Sequence, residues 1–165
     1  MAAADLNAIR GTIEAHFLAG FGADVIKQDG NTLISQGSLI IVTESPESDA
    51  TPLVFRNQAY EPTPGDSFIQ CLTDFGTSSY LTLGGTTDSF NQIQGSVQVN
   101  IFTPLGVGPG SNYDLASRVC TLCTRSIIEG IQFQALEGPS VVTNSQPSSF
   151  LFTLLTVPFN VFEYL

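Results

Sequence analysis

Charge is scarce in this sequence. Only 12% of its 165 residues are Asp, Glu, Lys or Arg, about half the usual share of roughly 25%. Surface that carries no charge must be covered by Ser, Thr, Asn, Gln and Gly, or by partner protein, and a chain with twelve Phe and no Trp then points to self-association. Positive charge is scarcer still: Arg10, Lys27, Arg56, Arg118 and Arg125 oppose fifteen acids, for a net charge of −10. Binding nucleic acid through its phosphates needs clustered Lys and Arg, so that class is excluded. The acidity keeps a charge-poor protein in solution and off passing nucleic acid.

Residues that carry chemistry are few. His16 is the single histidine and the one ready general base near neutral pH. Neither G-x-S-x-G nor H-E-x-x-H is present. Cys120 and Cys123 form a C-x-x-C inside a predicted helix, with Cys71 the third cysteine. Zinc would want a second Cys or His pair, and a redox motif should open a helix rather than sit in its middle. The expectation is buried, unpaired thiols suited to a reducing cytoplasm. Asp24, Asp29, Asp66, Asp74 and Asp88 lack calcium-loop spacing and read as turn residues and caps. No catalytic, cofactor-binding or metal-binding residue is expected, and the chain reads as a non-enzyme.

Long apolar runs are missing too. No stretch approaches the roughly 20 residues needed to cross a bilayer, and MAAADLNAIR lacks the apolar centre of a leader peptide. The expectation is a soluble protein with no membrane association.

What is present is apolar content of 42%, enough at this length for one core and one domain spanning 1–165. Asp5 is placed to cap a first helix to about Leu18, with Leu6, Ile9, Ile13 and Phe17 on one face. Gly20 and Gly22 end it, and a turn at Asp29-Gly30 follows. An apolar strand lies within 33–43, and the acidic, Pro-containing segment 44–52 reads as a flexible loop. A strand at 53–60 precedes a three-strand meander at 67–75, 79–83 and 90–103, with turns at Gly76-Thr77 and Gly84-Gly85. In the last of these Ile93, Val97, Val99 and Ile101 alternate with Gln94, Ser96, Gln98 and Asn100. One face is therefore buried, and the other is wet or covered by a partner.

A second helix is predicted from Ser111, paired with Asp114 in a capping box, to Gly130. Its inner face holds Leu115, Ala116, Val119, Cys120, Leu122, Cys123 and Ile127. Strands at 131–136, 139–143 and 150–164 close the chain, the last bent or broken at Pro158. The fold class is α+β: an antiparallel or mixed sheet of about six to eight strands packed with two helices. The turn Gly106-Val107-Gly108-Pro109-Gly110 invites a phosphate cradle. Pro109 removes a donor, however, and no Lys follows, so the glycines serve a sharp corner.

The order of these elements resembles the tail terminators, the phage proteins that cap the tail tube. The resemblance covers the first helix and 53–165. It rests on an Asn-containing strand end, Val54-Phe55-Arg56-Asn57-Gln58-Ala59-Tyr60, and on the glycine-led strand and turn from Gly95 through Pro104-Leu105-Gly106-Val107-Gly108. A closing Val157-Pro158-Phe159 completes it, while 23–52 forms a longer link than the family's. The resemblance implies a virion protein, made in the host cytoplasm, that forms a homohexameric ring on the finished tail tube. It also implies contact with neck or head-completion proteins and a channel that DNA passes without specific binding. Several acids would then line the channel. Phe55, Arg56, Asn57, Phe68 and Tyr80 are the candidate interface residues. Two alternatives stay open: another ring-forming neck or tail-tube component, and a monomeric β-rich ligand-binding module.

Overall fold

The computed structural model describes residues 5–21, 32–35, 38–41, 52–62, 65–81, 90–106, 108–142 and 149–164. Asp5 opens helix α1 (Leu6–Gly20): its carboxylate accepts the N–H groups of Asn7 at 3.0 Å and Ala8 at 3.1 Å, satisfying donors that have no partner inside the helix. Ile13 and Phe17 face the core while Leu6, two turns before Ile13, stays half exposed. Helix α2 (Gly110–Cys123) starts from Pro109, not from the expected Ser111 box, and no side chain caps it. It also ends seven residues before Gly130. Thr124 turns extended, Arg125 takes a left-handed φ of 53°, and Ser126 gives its carbonyl to the N–H of Phe133. Ile127, read as an inner-face residue, is 68% exposed on a strand.

The described residues form the strands β1 (Thr32–Ser35), β2 (Ser38–Ile41), β3 (Leu53–Phe55), β4 (Phe68–Tyr80), β5 (Phe90–Pro104), β6 (Ile127–Ile128), β7 (Ile131–Phe133), β8 (Glu137–Val142) and β9 (Phe150–Tyr164). The segment expected as one strand within 33–43 is the antiparallel pair β1–β2, separate from the main sheet. The loop at 44–51 and the turns at Asp29-Gly30 and Gly84-Gly85 lie outside the described residues. The main sheet runs β3-β4-β5-β9-β7-β6, with β8 pairing β9 beyond β7. It is mixed, because β3 is parallel to β4 and every other pair is antiparallel. With its two helices, the chain is α+β.

Three more expectations change. The strand at 53–60 stops at Phe55, where Asn57 takes a left-handed φ of 63° and Gln58 donates its N–H to the Phe55 carbonyl. The first two meander strands are one strand. Gly76-Thr77 sits at a register shift between Phe75 and Ser78 rather than at a turn, since a bulge absorbs extra residues without ending the ladder. Pro158 does not break β9, which pairs with β5 through fifteen residues from Phe90↔Tyr164 to Pro104↔Phe150. Its carbonyl accepts the N–H of Gln134, so the side its absent N–H would face is the gap between β7 and β8. No ladder bond is lost there.

Both helices lie on one face of this sheet. Ile69 and Cys71 of β4, Val97, Val99 and Ile101 of β5, and Leu155, Val157 and Phe159 of β9 bury there with Ile13, Phe17, Leu115 and Val119. Gly20 lets the helices meet closely, for a Cβ at that position would collide with the Leu122 side chain. His16 locks the crossing: its Nε2–H donates to the Leu122 carbonyl at 3.1 Å, and its ring stacks on Phe133 at 5.8 Å.

Candidate interaction surface

Strand alternation decides what the second face of the sheet carries, because successive side chains point to opposite sides. On β4, β5 and β9 the side chains between the buried ones are Phe68, Gln70 and Leu72, then Ser96, Gln98, Asn100 and Phe102, then Phe152, Leu154 and Thr156. No described helix covers them. Phe68, Phe102 and Phe152 stand in one cross-strand row, with Phe68 stacked on Phe102 at 4.4 Å and Phe102 on Phe152 at 4.8 Å. Tyr60 closes the row at one end, 5.1 Å from Phe68, and Phe150 meets Phe68 edge-on at 5.5 Å. Burial of the Tyr60 phenol, with Asp66 nearby, raises its pKa.

The next row is built of amides. Asn100 donates to Gln70 at 3.0 Å, and Gln98 donates to Asn100 at 3.1 Å. Charge appears at the margins: Arg56 pairs with Asp74 at 2.5 Å on one side, and exposed Glu137 lies opposite Thr156 on the other. Arg56 and Asp74 are both more than half exposed, so the pair adds little to stability. Its net effect on the face is neutralisation. The middle of the face is neutral and amphipathic, able to donate, accept and stack.

The short outer strands are unsuited to strand addition, whereas β4 beyond Cys71 has no described strand on its outer side. β3 is three residues long, and the N–H of Phe55 is taken by the Gln58 side chain at 2.9 Å. β6 is two residues, while β8 shifts register between Glu137 and Ser140 around Pro139, which has no N–H. Short or interrupted edge strands resist pairing with another chain. The outer side of β4 from Leu72 to Tyr80 and the face that no described helix covers are the surfaces left for contact.

The five sequence-predicted interface residues do not form one patch. Phe55 belongs to the core under the helices. Arg56 and Asn57 are exposed at the β3 margin, and Phe68 anchors the aromatic row. Tyr80 is 76% exposed at the other end of β4, roughly 40 Å from Phe68 along the strand. Near it, on the uncovered face, Leu81, Phe90 and Phe162 form a second exposed apolar group: Leu81 donates its N–H to the Phe90 carbonyl, and Phe162 is on the neighbouring strand. Sequence reasoning missed this group together with Phe102, Phe150 and Phe152. The run FLFTLLTVP at 150–158 is almost wholly apolar, so it hides which side chains face the helices.

The thiols behave as expected of core residues. Cys71 and Cys123 are buried, and Cys120 is partly so. Burial first, then neighbouring Cys123 and Glu14, pushes the Cys71 thiol well up, and burial with Cys120 nearby pushes Cys123 up to about 12. Among the described residues no group of His, Cys, Asp and Glu is placed to hold a metal ion.

No family model and no curated protein matches the chain. A solved structure does match, with a TM-score of 0.63 and 14% identity over 99% of this chain and 99% of its own. That protein bears only a serial designation, so the likeness shows a shared fold from end to end and nothing more.

Proposed function

We propose that the chain is a structural virion protein of phage tails, a tail terminator. In this reading it forms a ring that caps the tail tube, meets the neck or head-completion proteins, and leaves a channel for DNA. The observation that carries the reading is the sheet face that no described helix covers, aromatic and amide-lined, with Asn100 buried in its amide row and no charge in its middle, on a molecule of net charge −10. Copies this acidic repel one another through most orientations, and a neutral face is where approach costs least. A ring is then the closed form that head-to-tail contacts reach. The order of elements supports the same reading, as does the corner from Gly95 to Gly108. The charge balance suits a channel for DNA, since acids along it would repel phosphates rather than retain them.

Mass photometry of the purified chain and a cryo-EM view of the particle's neck test this. A hexameric ring at the junction of tube and neck is the expected result. Copies distributed along the tube would make it a different tail component. A stable monomer at micromolar concentration, without affinity for tail proteins, would instead favour a ligand-binding module. A neutral or basic lumen would sink the channel assignment alone.

A further inference from the structure

Arg125 differs from the other described cations. Arg10 is held by Glu14 at 2.6 Å, Arg56 by Asp74, and Arg118 lies 4.5 Å over the Phe21 ring. Arg125 is exposed and has no acidic partner among the described residues. It follows directly on the end of α2 with a left-handed φ of 53°, in a connection where Glu129 is left-handed as well. A left-handed residue directly after the C-cap is a common way for a helix to end, and here it turns the chain out of α2 toward β6.

The residue borders a cleft of about 660 Å³ between the end of α2 and the β7–β8 connection. Cys120, Ile127, Phe133 and Leu136 line it together with Thr124, Gln132 and Gln134, and among the described residues no acid does. Ile127 is 68% exposed beside it. An unpaired guanidinium over an apolar floor fits a carboxylate carried next to an apolar side chain. One cation amid fifteen acids does not fit a polyanion or an anionic membrane surface.

We infer that this cleft is the receiving half of a head-to-tail contact, and that it takes an acidic, apolar-flanked segment of a second copy of this chain. The inference rests on the ring reading above and adds a second contact surface, apart from the sheet face. Head-to-tail contacts join two different patches of the same molecule. Acids are plentiful on every copy, whereas an unpaired cation is not, so charge complementarity selects a second copy as the occupant.

The test compares the oligomeric state of the full chain with that of Arg125→Glu and Arg125→Lys across a dilution series. Charge reversal should weaken assembly at least roughly tenfold, as for closely paired interface charges, while Arg125→Lys keeps most of it. At a dilution where all three are dissociated, both variants should share the wild-type denaturation midpoint, because Arg125 has no acidic partner among the described residues to lose. Assembled wild type with an equally assembled Arg125→Glu would overturn this inference and leave the ring reading standing. A wild-type chain that stays monomeric would sink both. Intact self-assembly with lost binding to the tail-tube protein would overturn the second-copy assignment.

Discussion

Phe159 occupies the space above Gly95. The two residues are paired across β9 and β5 on the face that meets the helices, and Phe75 is paired with Gly95 from the other side. The rings of Phe75 and Phe159 meet edge-to-face at 5.9 Å. A Cβ on Gly95 would collide with the Phe159 ring and approach the Asp74 carbonyl to 2.7 Å. Glycine in the middle of a strand is unfavourable by itself, and here it makes room for an aromatic pair.

Gly95→Ala should therefore destabilise the fold by about 1–3 kcal/mol, the usual effect of overpacking a filled core. Urea denaturation checks this through a lowered midpoint at unchanged slope. An unchanged midpoint would mean that the Phe159 ring is not confined there.

Asn112 ties α2 to β5. It is 1% exposed, and its Nδ2 donates to Thr103 Oγ1 at 3.1 Å and to the Ile101 carbonyl at 3.5 Å. Asn112→Ala should cost about 1–3 kcal/mol, since the buried Thr103 hydroxyl loses its donor. The same denaturation experiment reads it, and a loss under about 0.5 kcal/mol would show that the bonds are dispensable.

The buried thiols set an alkaline limit. The folded state raises the Cys71 and Cys123 pKa values above the ordinary 9, so it holds protons that the unfolded chain has released. Stability should stay level with respect to these groups below pH 9 and fall as the pH rises toward about 12, the value for Cys123. In the native protein at pH 8, Cys120 should react with a thiol reagent ahead of the other two. Equal rates for all three would contradict the burial of Cys71 and Cys123.

Tyr80 is exposed enough that Tyr80→Ser should change stability by no more than about 0.5 kcal/mol. Under the tail-terminator proposal it should still weaken assembly or binding to the tail-tube protein. A stability loss above about 1 kcal/mol would mean that Tyr80 packs within its own chain.

Much of the architecture is legible along the sequence because its signals are local. Asp5 names the start of α1, and the alternation from Ile93 to Ile101 names a strand with one buried face. The misreadings share one cause: a partner distant in sequence overrides a local pattern. Gly76-Thr77 is a turn signal, but β5 continues on the other side and holds β4 straight through it. Ile127 continues the helical spacing of Leu115 and Val119, but the bond from Phe133 to Ser126 draws the chain into the sheet. Pro158 should interrupt a strand, yet it falls opposite the one gap where no N–H is needed. The candidate surface was less legible than the fold. Phe68 and Tyr80 both look like contact residues in one dimension, but they lie at opposite ends of one strand.

By itself the sequence determined the α+β class, the buried face of β5 and the thiols as core residues. These follow from composition and from periodicities of two and 3.6 residues, which act over a few neighbours. The tertiary structure alone decided that Phe68, Phe102 and Phe152 form one row and that Gly95 lies beneath Phe159. Each of these depends on which residues the register of β4, β5 and β9 sets side by side, and register is a property of the assembled sheet.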